Sequence, residues 1–247
     1  MSEIDGVYWV WLRELIRFWR FKSRILTSII QPLLFLIVLG GGFSFVSLGS
    51  VNYQSFLFPG IIAMSLLFSS ISSGISVIWD REFGFLKEIL VAPVSRLSIF
   101  FGKALGGAST AIIQGLIILA LSFILSIVIT PSSFLISLAV MLIFSLGMVS
   151  VGLIIASFLE SFESFGVIMN LLIFPIFLLS GALFPLNEAP EWLKAISMFN
   201  PMTYATDALR GAIIGTSTLP LMYDFIVISV FSVVMIIIGG ISFNRQK

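Results

Sequence analysis

"WDREFGFLKEILVAPVSR", Trp79 to Arg96, holds six charged residues: Asp80, Arg81, Glu82, Lys87, Glu88 and Arg96. The chain around it is almost free of charge. The 55 residues from Ile25 to Trp79 carry none, and neither do the 56 residues from Ala104 to Leu159. A crossing helix needs about 20 apolar residues, so each uncharged run is long enough for two spans. The charged stretch then reads as the loop that joins one pair of spans to the next.

Composition points the same way. Hydrophobic residues make up 59% of the 247, charged residues 10%, and mean hydropathy is +1.16. A soluble domain carries roughly 25% charged residues, so this chain lacks the material for a water-facing surface and reads as an integral membrane protein. A net charge of +1 gives no reason to expect nucleic acid. With no Cys and no His, disulfides, thiol nucleophiles, Ser-His and Cys-His hydrolase sites and almost all zinc chemistry are excluded. No metal site and no catalytic residue are expected. The first 24 residues are long, aromatic and mixed in charge, and the apolar run after them is longer than a signal h-region of about 7–15; it reads as a retained span.

The runs divide into six spans at 25–46, 56–79, 104–129, 134–158, 165–184 and 225–243. "SLGSVNYQS" (Ser47–Ser55) turns the first pair and "TPSS" (Thr130–Ser133) the second. Six spans put both termini on one side. Eleven basic residues fall there: Arg13, Arg17, Arg20, Lys22, Arg24, Arg81, Lys87, Arg96, Lys103, Arg245 and Lys247. Lys194 and Arg210 alone fall on the other. The positive-inside rule makes the crowded side cytoplasmic. Span interiors hold Gln31, Gln114 and Asn170 but no ionisable residue, which argues against a proton- or sodium-driven carrier.

Residues 7–24 form an amphipathic helix by pattern. Arg13, Arg17, Arg20 and Arg24 share one side, with Tyr8, Trp11, Leu15, Phe18 and Trp19 opposite. Such a helix lies in the membrane interface, as an anchor or as a contact for a partner protein. Residues 81–91 form a second one. Phe83, Phe85, Leu86, Ile89 and Leu90 cover one arc, Arg81, Lys87 and Glu88 the other, and Pro93 ends it. Its apolar arc must be buried, against lipid or in a groove of another protein.

This loop resembles the first cytoplasmic loop of the ABC type-2 exporter permeases. Gly84, Leu86, Glu88, Leu90, Pro93 and Arg96, followed by "FGK" at Phe101–Lys103, match in kind and order. Family members usually carry Thr-Leu-Glu after the Gly. Here Phe85-Leu86-Lys87 stands in its place, and the acidic residue comes one position later. The resemblance implies a coupling helix that docks on a nucleotide-binding subunit, with Phe85, Leu86, Lys87, Glu88, Leu90 and Arg96 as the contact residues.

A second stretch, Leu179 to Gly215, is too apolar for a free loop and too interrupted for a span. Pro190 starts one short helix. Asn200 and Pro201 suit the N-cap and first residue of another, and Gly215 suits its stop. Asp207 and Arg210 are spaced to pair, either to hold the shape or to meet substrate. Ser180, Gly181, Phe184, Pro185, Trp192, Asn200, Pro201, Thr203, Tyr204, Asp207 and Arg210 are similar to the outer-loop motif of the drug- and lipid-exporter branch of the same family. The resemblance implies a re-entrant helical hairpin at 190–214 near the outer gate.

No G-x-x-x-x-G-K-[ST] phosphate loop is present. "FGKA" lacks the upstream Gly and the Ser/Thr, and Gly102 and Gly106 read as small-xxx-small helix packing. ATP and Mg are therefore expected on a separate ATPase subunit. The family implies a second permease subunit, expected to be an identical copy, with the path between the two, in a prokaryotic plasma membrane. The leading expectation is an all-α polytopic permease subunit of an ATP-driven exporter moving an amphipathic or lipid-like cargo. An ATP-independent channel or carrier and a membrane enzyme are the alternatives.

Overall fold

Polar residues set just ahead of apolar runs start half of the described α-helices. The computed structural model describes residues 3–43, 45, 47–48, 51–83, 94–159 and 161–244. Asn52, Ser95, Thr130, Ser161 and Asn200 each cap a helix by accepting a backbone N–H two or three residues on, which satisfies a donor the helix itself leaves open. Pro131 and Pro201 follow their caps at the first helical turn, where a missing N–H does no harm.

The elements run α1 (Glu3–Arg20), α2 (Lys22–Gly42), a two-strand ribbon β1 (Ser47–Leu48) and β2 (Val51–Asn52), α3 (Tyr53–Ser72), α4 (Ile75–Glu82), α5 (Arg96–Ala120), α6 (Pro131–Phe158), α7 (Phe162–Leu178), α8 (Glu191–Ser197), α9 (Pro201–Ile214) and α10 (Leu221–Asn244). Four helical stretches are long and apolar enough to cross a membrane: Tyr53–Glu82, Arg96–Phe123, Pro131–Phe158 and Leu221–Asn244. The chain is thus a polytopic helical membrane protein. Two further apolar stretches, Ile30–Gly42 and Phe162–Leu178, are shorter.

α3 is the centre. Phe56 to Leu67 is buried without interruption, because α2, α5, α6 and α9 surround it. α10 does the opposite: Val230, Val233, Ile237 and Ile241 point outward, an arrangement suited to a solvent of lipid chains and to nothing aqueous. Where α3 passes into α4, its backbone meets that of α6. A Cβ on Gly152 would lie 2.9 Å from Ile71 Cα, and one on Gly74 would strike the Gly152 carbonyl. Only glycine permits this approach.

Two boundaries differ from the sequence reading. The helix expected over 7–24 ends at Arg20, and Phe21 (φ −92°, ψ 73°) separates it from α2. The basic stripe is therefore split, with Arg24 on another helix. The third span, expected to begin at Ala104, begins at Arg96, so Lys103 sits two turns inside α5 instead of in the loop. The helix expected at 81–91 lies, from residue 84 onward, outside the described residues.

Candidate functional site

α1 does not float free of the bundle. It packs along α5, seated on two glycines one turn apart. A Cβ on Gly102 would come within 2.6 Å of Val10 Cβ, and one on Gly106 would press on Glu14. The small-xxx-small reading of this pair thus holds, and its partner is the N-terminal helix. Trp11 Nε1 donates to Ser109 Oγ at 3.0 Å, which turns one ring of the aromatic stripe inward. Phe18 is buried while Tyr8, Trp9 and Trp19 remain exposed.

This packing brings five charges together. Asp80, fully buried at the end of α4, accepts from Lys103 Nζ at 2.6 Å, from Arg17 Nη2 at 2.8 Å and from Arg13 Nη2. Lys103 also donates to Ser76 Oγ at 3.1 Å and to Glu14 at 3.3 Å. Burial works against the charge on Arg17, but the carboxylates of Glu14 and Asp80 outweigh it and raise the guanidinium above its ordinary value. Glu3 ties the start of α1 to the same region: the Ser95 and Ser98 hydroxyls donate to it and hold its carboxyl below the usual range. Asp80 near the end of α4 and Lys103 on α5 thus meet in a single cluster that also grips α1. An apolar cleft of about 470 Å³ opens beside it, where Trp79 stacks on Phe83 and Phe21 forms a wall.

None of this was legible in the composition. By sequence, Asp80 and Lys103 read as charges of the cytoplasmic loop, and Arg13 and Arg17 as part of the basic side of an interfacial helix that is an anchor or a partner contact. The available signal was positional: Asp80 closes one uncharged run and Lys103 opens the next. Of the residues expected to meet an ATPase, Phe85, Leu86, Lys87, Glu88 and Leu90 lie outside the described residues. Arg96 is the first residue of α5 and donates to the Asn244 carbonyl at 3.2 Å, so the C-terminal helix ends at this same end of the bundle.

The opposite end carries the second candidate group. α7 turns at Gly181, whose φ of 71° only glycine adopts without strain. α9 runs from Asn200 and Pro201 to Gly215, which is left-handed at φ 79°. Asn200 also donates to the Ile176 carbonyl at 2.6 Å, and Tyr204 Oη donates to the Met198 carbonyl at 2.7 Å. Trp192 on α8 stands exposed. Tyr53 Oη donates to the Leu183 carbonyl at 2.9 Å, which pins the turn to the start of α3. The carboxylate of Asp224, buried on the first turns of α10, has no hydrogen-bond partner among the described residues.

The expected Asp207–Arg210 pair does not form. The Asp207 carboxylate accepts from the backbone N–H of Thr218 at 2.9 and 3.0 Å and of Leu219 at 2.8 Å. Arg210 donates to the Gly181 carbonyl at 3.1 Å and lies over the Phe56 ring at 3.9 Å. Three-residue spacing allows a pair on one helix, but the chain after Gly215 folds back and offers Asp207 two backbone donors, while Arg210 turns to the Gly181 carbonyl and the Phe56 ring. Asp207→Ala is accordingly expected to destabilise by about 1–3 kcal/mol, the range for hydrogen bonds to a charged group, by removing the acceptor shared by the Thr218 and Leu219 N–H groups. Thermal unfolding in detergent reads this, and a melting point equal to wild type would refute the assignment.

Four helices long and apolar enough to cross a membrane, packed with a clamped N-terminal helix, define the class as a polytopic helical membrane protein. The sequence profile of the ABC-2 type transporter family matches residues 6–214, and the chain belongs to that family. It is 33% identical over 192 residues to the putative transport permease ycf38 of Cyanophora paradoxa, covering 75% of this chain and 66% of that relative. It is 33% identical over 204 residues to the ycf38 permease of Porphyra purpurea, covering 80% and 70%. Over 244 residues, 94% of each chain, it is 26% identical to the inner membrane transport permease YadH of Escherichia coli K12.

Proposed function

We propose that the chain is the membrane-spanning subunit of an ATP-driven exporter that moves an amphipathic or lipid-like substrate outward. α2 and α7 serve as the first and fifth of six spans, both termini face the cytoplasm of a prokaryotic cell, and 190–214 re-enters the membrane from outside. The segment 81–91 is the coupling helix. It docks on a separate ATPase subunit that carries ATP and Mg, and a second, identical permease completes the path.

The observation that carries this reading is the cluster at Asp80. A docking helix transmits force only if its ends are held. Here both ends lead into one buried ion network, which joins α4, α5 and α1. Displacement of residues 84–93 would therefore move three helices as one body, in the manner of a packed core that shifts between discrete arrangements. Membership in a transport permease family supports the same conclusion.

Leu86→Asp and Leu90→Asp test it. Each places a charge on the expected docking face without touching a span. Purified with its ATPase in lipid vesicles, either variant is expected to lose tenfold or more of its ATP-driven transport while the permease keeps its wild-type melting point. A pull-down in mild detergent should recover a stoichiometric ATPase with wild type and lose it with Leu86→Asp. Full transport in both variants would sink the coupling role.

A further inference from the structure

We propose that the cavity at the Arg210 end of the bundle binds the oxyanion headgroup of an amphiphile, a phosphate or carboxylate carried on an apolar body, with Arg210 and Thr203 as its donors. The inference deepens the exporter reading, on which it rests for the identification of the cargo class.

The cavity measures about 660 Å³, within the range of about 300–1,000 Å³ that holds a compact organic ligand. Phe56, Leu186, Met198 and Leu219 give it apolar walls, and Arg210, Thr203 and Lys194 contribute to the same lining. Arg210 is only 7% exposed and Thr203 only 8%. Arg210 Nε and Thr203 Oγ1 are both buried without a hydrogen-bond partner. A guanidinium has five N–H donors, and among the described residues Arg210 places one hydrogen bond, on Gly181. Seven residues apart, Thr203 and Arg210 lie on the same face of α9.

Unmet buried donors call for an acceptor. Asp207 shares that face and lines the cavity, but its oxygens are taken by the Thr218 and Leu219 N–H groups. Glu188, also in the lining, is exposed. The unmet Arg210 Nε can only donate and the Thr203 hydroxyl can donate beside it, and a planar guanidinium edge matches phosphate or carboxylate better than a neutral or cationic group. Lys194 adds a second positive charge. The apolar walls suit the part of the ligand that follows the headgroup.

The test uses the full chain in an uncharged maltoside detergent, without ATPase. Binding of dodecyl phosphate, dodecyltrimethylammonium and inorganic phosphate is measured by calorimetric titration and native mass spectrometry. Dodecyl phosphate is expected to bind one per chain, about tenfold or more tighter than dodecyltrimethylammonium, which has the same apolar chain and no oxyanion, the scale of a charge-assisted hydrogen bond. Arg210→Gln should weaken it about tenfold or more. Because Arg210 also supports the fold, Thr203→Val and Lys194→Gln are measured as well, each at matched melting point, and each should weaken binding severalfold.

Inorganic phosphate binding as tightly as dodecyl phosphate would keep the oxyanion site and overturn the apolar half of the proposal. Equal affinity for the two dodecyl compounds would overturn it, as would affinity unmoved by both Thr203→Val and Lys194→Gln. No ATPase takes part, so a failure of the coupling test leaves this result untouched, and loss of binding leaves the coupling result untouched.

Discussion

Asp80→Ala is expected to destabilise the protein by about 3–5 kcal/mol, the usual effect of removing one partner from a buried ion pair. Asp80 is the shared acceptor of Lys103, Arg17 and Arg13. Without it, Lys103, 2% exposed, keeps only Glu14 and Ser76, Arg17 keeps only Glu14, and Arg13 loses its contact with Asp80. At roughly 2–4 °C per kcal/mol for a chain of this size, the melting point should fall on the order of 10 °C, and α1 should become accessible to protease. The companion variant is diagnostic. Adding Lys103→Met removes the orphaned cation and offers an apolar chain of similar length, so the double variant should regain much of the loss. Thermal unfolding of wild type, both single variants and the double variant gives the coupling directly. Purely additive effects would mean that the two side chains act independently, contrary to the 2.6 Å contact between them.

Gly152→Val is the second large effect. The crossing of α6 with the α3–α4 junction is a backbone contact, and an added Cβ would sit 2.9 Å from Ile71 Cα. No flexible side chain stands in the way to yield, so the helices themselves must part. Overpacking typically costs about 1–3 kcal/mol and occasionally more; with backbone on both sides, the upper end is expected. Since α3 is the buried centre of the bundle, its displacement should show as aggregation on size exclusion. Gly166→Val on α7 is the control, for a Cβ there meets nothing within 4 Å. Similar profiles for the two variants would show that the crossing tolerates separation.

Local signals in the sequence were dependable where a few adjacent residues decide the outcome. Asn200-Pro201 and Gly215 bound α9 because capping geometry depends on those residues alone. The span expected from 134 begins instead at Pro131, within the turn read at Thr130–Ser133, with Thr130 as its cap. The four longest membrane helices follow from apolar length. What failed was pairing. Asp207 and Arg210 satisfy the spacing rule of a helix, yet residues 218 and 219, beyond the helix end, took Asp207. Lys103 looked like loop charge because hydropathy cannot record that its partners lie 23 and 89 residues away. The site residues inferred for the coupling helix, Phe85 to Leu90, fall outside the described residues, so their reading still rests on pattern and family resemblance.

The seat of α1 has a consequence for how the chain is made. The partners of Arg13, Arg17, Glu14 and Trp11 lie 67, 63, 89 and 98 residues further along. At a synthesis rate of about 5–20 residues per second, α1 is made on the order of five to twenty seconds before Lys103 and Ser109. The apolar helices α2 and α3 are translated during that interval, ahead of the Asp80 that the arginines of α1 will meet. α1 therefore docks late, because its seat on Gly102 and Gly106 exists only once α5 has been made.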